Sequence, residues 1–304
     1  MPPAPETLHV ARTRLDLSAY RARQPATTDY TALIDRSTLV YDGETGDLLV
    51  VYLHLDDDCR DVVAALRSVR FDHQNAMGRG PKSRIFGNQP RSLPRRDHCT
   101  AASLAAENPA AHATIAGYAE RVSSYYHRYN PDLYATHVAT TARVLPTWRI
   151  GASAFTSGII NFNNPLQYHF DAGNFADVWS NMLVFRDGAA GGYLACPEID
   201  CGFALPSNAL LMFDGQGLLH GVTPIVLRDA ESYRYSVVYY SLKQMWRCLP
   251  VGEEVRRADR RRTERELRRA GLPVPDRFAD VAPHATQRGD DGVLARKDAG
   301  AGRP

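Results

Sequence analysis

Long apolar runs are missing from this sequence. No uninterrupted stretch approaches the roughly 18–20 residues needed to cross a bilayer, and the N-terminus MPPAPETLHVARTRLDL lacks the apolar centre of a secretory signal. A soluble, cytoplasmic protein is expected. Cysteine is scarce as well: the five present (Cys59, Cys99, Cys196, Cys201, Cys248) are scattered, odd in number and never spaced as C-x-x-C. That pattern predicts neither a disulfide framework nor a zinc knuckle, and it fits a reducing compartment. Net charge is nearly absent too, +2 over 304 residues, so the sum alone predicts no polyanionic partner. Its distribution is less even. GRGPKSRIFGNQPRSLPRR (78–96) contains no acid, and RRADRRRTERELRR (256–269) is dense in arginine.

What is present is enough apolar material, 44% of residues, for a sizeable core. Residues 1–28 are rich in Pro and Ala without steady periodicity and read as a flexible arm. Residues 29–147 read as a helical and basic-loop support region. Within it DCRDVVAALRSV (58–69) has helical spacing after an Asp cap, and a long Gly/Pro/Arg loop follows. NPAAHATIAGYAERVSSYYHRYNP (108–131) then predicts one amphipathic helix, opened by an early Pro and closed by Asn-Pro. From 148 to 250 the texture changes to short β-branched and aromatic runs such as SAFTSGIINF, NMLVFRD, ALLMFDG and YRYSVVYYSL, separated by Asn, Gly, Pro and Asp. Many short strands with frequent turn signals indicate a sandwich or barrel. Helices first and strands afterwards make an α+β protein whose sheet is braced by N-terminal helices. Residues 251–282 predict an Arg-rich helix and 283–304 a disordered tail.

The chemistry-bearing stretch is NNPLQYHFDAGNFADVWSNMLVF (163–185). In a strand, side chains two apart share a face, so His169 and Asp171 converge while Phe170 points away. Downstream, LMFDGQGLLHGVTPI puts His220 at the start of a strand after a Gly-rich turn. Together the three form a two-His, one-carboxylate facial triad, the arrangement of non-haem Fe(II) oxygenases with open coordination positions. His-x-Asp alone is a common pair, equally readable as a surface His beside a turn Asp. In YRYSVVYY, Arg234 and Ser236 share a strand face, and a guanidinium beside a hydroxyl cradles a carboxylate, as the distal end of 2-oxoglutarate would require. A strand Arg paired with an acid is the plainer reading. The paired glycines of GGYLACPE mark either a close backbone approach or a hairpin bend. His-x-Asp, Gly-Gly strand, His220 and Arg-x-Ser follow one another in the order of strands around a double-stranded β-helix.

With those motifs in view, residues from about 150 to 245 resemble the catalytic core of the Fe(II)/2-oxoglutarate dioxygenases. YHFDAGNF, NMLVFRDGAAGGYLACPE, LLMFDGQGLLHGVTPI and YRYSVVYYSL are together similar to the TET/JBP branch as found in bacteriophage and bacterial proteins. The resemblance implies a double-stranded β-helix (jelly-roll, cupin-like) core and the cofactors Fe(II) and 2-oxoglutarate, with O2 as co-reactant. It implies that His169, Asp171 and His220 bind iron, that Arg234 and Ser236 bind 2-oxoglutarate, and that the 5-methyl group of a DNA pyrimidine, 5-methylcytosine first, is hydroxylated. DNA would then be the partner. The alternative keeps the chemistry and moves it to a free amino acid or small metabolite, and a non-catalytic nucleic-acid-binding β-helix module is disfavoured by the intact ligand set.

Further candidates surround this centre. Asn161, Asn163, Asn174 and Asn181 could serve turns or hydrogen-bond the cosubstrate, with Asn181 taken as a cosubstrate contact. Tyr168 and Trp179 could stack on an extruded base or be ordinary core aromatics. The basic loop with Arg79, Lys82, Arg84, Arg91, Arg95 and Arg96 could track phosphates, Arg84, Arg91 and Arg95 foremost, or be a solvated lid. The Arg-rich helix could contact a DNA backbone or be solvated and ion-paired.

Overall fold

The computed structural model describes residues 4–71, 82–92 and 96–275. Ahead of the helical segment 103–141 run β1 (Glu6–Val10), β2 (Ala32–Ile34), β3 (Thr38–Asp42), β4 (Leu48–His54), β5 (Ser83–Gln89) and β6 (Thr100–Ala101). After them come β7 (Ser157–Phe162), β8 (Ser180–Asp187), β9 (Ala189–Gly191), β10 (Leu194–Cys196), β11 (Cys201–Phe203), β12 (Ala209–Phe213), β13 (Gly221–Val222), β14 (Ile225–Leu227) and β15 (Tyr233–Tyr240). The helices are α1 (Arg60–Arg67), α2 (Ser103–Glu107), α3 (Pro109–Gly117), α4 (Ala119–Tyr129), α5 (Pro131–Thr141) and α6 (Val251–Arg269).

Among the described residues, nine strands form one large sheet in the order β1-β3-β4-β12-β8-β15-β7-β5-β6, and β13-β10-β11-β2 form a smaller one. Pairing is antiparallel apart from β1 with β3 and β2 with β11. The result is the expected α+β jelly-roll core. The alternation of strand side chains sorts the central strands into two packing faces. Leu183, Phe185, Val237, Tyr239, Leu210 and Met212 pack against Val62 and Leu66 of α1, Ile115 of α3 and Val122 and Tyr126 of α4. The pairs 62/66 and 122/126 are four apart, so each helix turns one apolar stripe to the sheet. On the other face Val184, Leu211 and Tyr52 meet Cys196, Cys201, Phe203 and Val222 of the small sheet. Each such fully buried apolar side chain stabilises by about 1.5–3 kcal/mol relative to exposure.

Several expectations are corrected here. The stretch taken as a loose arm is pinned: β1 pairs along β3, the Tyr168 amide donates to the Arg23 carbonyl, and the Gln24 amide donates to Leu166 and Val222 carbonyls. The region 29–147 is more than a support, since strands β2 to β6 lie in the two sheets. The basic loop is in part a strand, because residues 83–87 pair with β7 and bury Phe86 under the helices. The single helix over 108–131 is interrupted at Tyr118, whose hydroxyl donates to Asp57. Each Asn-Pro opens a helix: Asn108 accepts from the Ala111 amide and Asn130 from the Leu133 amide, with Pro at the first helical position. Finally, Cys99 and Cys248, 149 residues apart, form a disulfide. A spacing rule tuned to local cysteine motifs could not anticipate a pair that folding alone brings together.

Helix α6 docks by charge rather than by apolar contact. Glu254, Arg257 and Glu264 are buried, with Arg261 half-buried between them, at the three- and four-residue steps of one helix face. Glu254 pairs with Arg91 and accepts from the Cys99 and Leu249 amides, while Arg257 donates to the Asp97 carbonyl and Arg265 pairs with Asp97. The helix ends at Arg269, and the tail expected to be disordered (283–304) lies outside the described residues. Glu254→Ala should lower unfolding free energy by about 3–5 kcal/mol, because Arg91 and the two amides lose their buried acceptor. Urea unfolding followed by circular dichroism measures this, and an unchanged midpoint would show that the ion pair is not what holds α6.

Candidate active site

The segment 167–171 and the segment 218–220 run antiparallel at one end of the jelly roll. His169 and His220 exchange both backbone hydrogen bonds, 2.9 Å from the His169 amide to the His220 carbonyl and 3.1 Å in return. The Asp171 amide donates to the Gly215 carbonyl at 2.8 Å. Three side chains that chemistry would want together are thereby held on one face. Their ligating atoms lie within 4.8 Å of one another, and each imidazole Nε2 is 3.9 Å from Asp171 Oδ1.

Each Nδ1 stands against a carbonyl, His169 against Gln167 at 2.8 Å and His220 against Leu218 at 2.9 Å, so each Nδ1 donates a hydrogen there and each Nε2 is the ring nitrogen that faces the carboxylate. Burial, then the neighbouring His169, lowers the pKa of His220 to about 4, which keeps it a neutral ligand at physiological pH. The triad opens into a cavity of about 340 Å³ whose walls are largely apolar, among them Ile159, Met182, Phe213 and Val238, with Asn161 and Ser236 as polar points.

Ser236, Val238 and Tyr240 line this cavity from alternate positions of β15, and Arg234 continues the same alternation. Its side chain is 1% exposed, and its Nε and Nη2 have no hydrogen-bond partner among the described residues. Burial, then the adjacent Arg186, lowers its pKa to about 9. A buried guanidinium with idle donors calls for an anion. The Gly-Gly ambiguity resolves toward close approach: Gly192, at φ +67°, lies so near Arg234 that a Cβ there would come 2.7 Å from its Cδ and Nε. Sequence reasoning missed Arg186, which sits directly across from Arg234 on β8 and donates to the Ala189 and Gly191 carbonyls. A second strand Arg in RDGAAGG was the available signal.

Other candidates fall elsewhere. Asn181 lies on the helix-facing side of β8, paired across from Tyr239 and Met212, so it turns away from the cavity. Asn163 accepts from the Arg234 amide, and Asn161 donates to Ser236. Trp179 stacks on Tyr126 in the core at 5.7 Å, and Tyr168 is fully buried with its hydroxyl on Asp29, so neither presents a face to a base. Arg84 is buried against Glu107 on the helix side, Arg91 pairs with Glu254, Arg96 donates to the Pro90 carbonyl and Lys82 to the Asn163 carbonyl. Arg79 and Arg95 lie outside the described residues.

The family model describing the oxygenase domain of the 2OGFeDO superfamily, TET/JBP type, matches residues 85–243. This chain belongs to the TET/JBP family of oxygenases. The matched span, just over half of the sequence, contains the triad, Arg234 and Ser236. The fold is similar to that of NgTET1 in complex with 5mC DNA, at a TM-score of 0.54 and 13% identity over 79% of this chain and 83% of that one. Weaker likenesses are to a 2OG-Fe(II) oxygenase family oxidoreductase from Burkholderia pseudomallei (TM-score 0.39, 12% identity, 78% of this chain and 94% of that one) and to OsALKBH1 (0.37, 13%, 63% and 96%). No curated protein matches the chain in sequence.

As a TET/JBP oxygenase the protein uses Fe(II) and 2-oxoglutarate, and its residues fit both. Two imidazoles and a carboxylate suit Fe(II), and the Nε and Nη2 of Arg234, without a partner among the described residues, suit the distal carboxylate of 2-oxoglutarate. His169→Ala, Asp171→Ala or His220→Ala should each abolish Fe(II) binding and succinate formation while the circular dichroism spectrum persists; a variant that keeps full turnover is not missing a ligand. Arg234→Ala should raise the KM for 2-oxoglutarate by an amount corresponding to about 2–5 kcal/mol, the usual loss when one partner of a desolvated charge pair is removed. Arg234→Lys should recover part of it, because an ammonium lacks the planar fork. Equal KM values in all three proteins would remove Arg234 from the cosubstrate site.

Proposed function

We propose that this oxygenase hydroxylates the 5-methyl group of a modified pyrimidine in DNA, converting 5-methylcytosine to 5-hydroxymethylcytosine. The observation that carries the reading is the TET/JBP match across the whole metal-site region, and the similarity of fold to NgTET1, solved with 5mC DNA, supports it. When bound, Fe(II) and 2-oxoglutarate supply the oxygen activation that cleaves an unactivated C–H bond. The chain's own task is arrangement. His169, Asp171 and His220, which line the cavity, would hold the metal, Arg234 would orient the cosubstrate, and Ile159, Met182, Phe213 and Val238 offer an apolar wall against which a methyl group would rest.

A base in a duplex must be extruded to enter such a cavity. Phosphate contacts would assist, but the arginines first assigned to them are engaged: Arg84 with Glu107 and Arg91 with Glu254. Neutralising that pair should therefore lower stability and leave the salt dependence of DNA binding little changed, whereas truly contacting residues contribute a log–log slope near −0.9 per phosphate.

The direct test supplies Fe(II), 2-oxoglutarate and oxygen with methylated or unmethylated DNA, then digests to nucleosides for mass spectrometry. Methylated duplex should yield 5-hydroxymethylcytosine, faster when the target base is mismatched, since extrusion then breaks less pairing. Oxidation of a free nucleoside, amino acid or small metabolite with no product from methylated DNA would move the reading to small-molecule hydroxylation.

A further inference from the structure

Asp171 presents its two carboxylate oxygens to different surroundings. Oδ1 faces the two imidazole Nε2 atoms at 3.9 Å each. Oδ2 accepts from the Asn174 amide at 3.2 Å and from the Ser180 hydroxyl at 3.1 Å. The Asn174 amide also donates to Ser180 Oγ at 3.0 Å, closing a triangle in which the amide uses both hydrogens and the hydroxyl both receives and gives one. Asn174 and Ser180 are 7% and 4% exposed, so water competes little for these bonds. Beneath them the Gly215 backbone is packed so closely that a Cβ would stand 2.2 Å from Oδ2.

We propose that Asn174 and Ser180, seated over Gly215, are positioning residues that commit Asp171 Oδ2 to the protein and leave Oδ1 alone to bind the metal. Two donated hydrogen bonds fill the accepting capacity of Oδ2. A carboxylate so held takes one coordination position, and the others stay free for cosubstrate and oxygen. Ser180 sits at the start of β8 and Asn174 bridges to Leu242, two residues beyond β15, so the clamp ties the ligand segment to β8 and to the chain leaving β15. It rests on His169, Asp171 and His220 being the metal ligands and is independent of which substrate is oxidised.

The test uses Co(II) alone as the probe, read by its visible absorption and by titration calorimetry on the full chain without turnover. Ser180→Ala and Asn174→Ala should each weaken Co(II) binding about tenfold and the double variant up to about a hundredfold, the range seen when partners that orient a ligand are lost. The Co(II) bands should shift in position or intensity, and Ser180→Thr, which keeps the hydroxyl, should restore both. Gly215→Ala, checked by circular dichroism for retained fold, should disturb the same bands from the opposite side. A double variant with wild-type affinity and spectrum overturns the proposal, as does Ser180→Thr behaving like Ser180→Ala. Wild-type protein that binds no Co(II) overturns the ligand assignment and this proposal together, whereas wild-type binding unaltered by the variants overturns the clamp alone.

Discussion

Two backbone hydrogen bonds exchanged between His169 and His220 are what the rest of the site depends on. These residues are distant in sequence, and their side chains can share one ion only if the segments run antiparallel in this register. A slip of one residue would turn an imidazole to the opposite face and replace it with its neighbour. The register is held from several sides: the Tyr168 amide by Arg23, the Val222 amide by Leu166, the Asp171 amide by Gly215. The N-terminal segment belongs to that support, which is why a stretch of undistinguished composition is ordered.

The second constraint is electrostatic. Arg234 and Arg186 stand opposite each other on adjacent strands, and like charges so placed are unfavourable. Arg186 is satisfied by the carbonyls of Ala189 and Gly191, and the same bend brings Gly192 against Arg234. Arg234 is buried with no partner for its Nε and Nη2 among the described residues, a cost that a carboxylate would relieve.

Charge is used differently at the other margin of the protein. Arginines that composition suggests for a polyanion are in part structural, joining α6 to Arg91 and Asp97 beside the Cys99–Cys248 disulfide. Glu254 draws together one guanidinium and two backbone amides, and a helix with almost no apolar face is docked by that means. Counting arginines cannot separate such a network from a phosphate-binding surface. Only the acids that face them do so: Asp259 and Glu264 lie within α6 itself, whereas Asp97 for Arg261 and Arg265, and Glu254 for Arg91, come from elsewhere in the chain.

The triad and Arg-x-Ser were legible in the sequence because the two-residue period of a strand is a local property, so His169 with Asp171 and Arg234 with Ser236 could be assigned to shared faces from spacing alone. His220 was placed by its position at a strand start after a Gly-rich turn, and the resemblance carried by the surrounding motifs added the jelly-roll core. What spacing could not decide was which face a whole strand would bury. Asn181 and Trp179 lie next to cavity-lining Ser180 yet point into the helix-packed core, because β8 is buried on both sides and its sequence shows no alternation of polarity to tell them apart. Tertiary structure alone decided the partners of Arg84, Arg91 and Cys99 and the clamp on Asp171 Oδ2. Most of these depend on contacts between segments far apart in the chain, and a hydrogen bond has no signature in sequence until folding has placed donor beside acceptor.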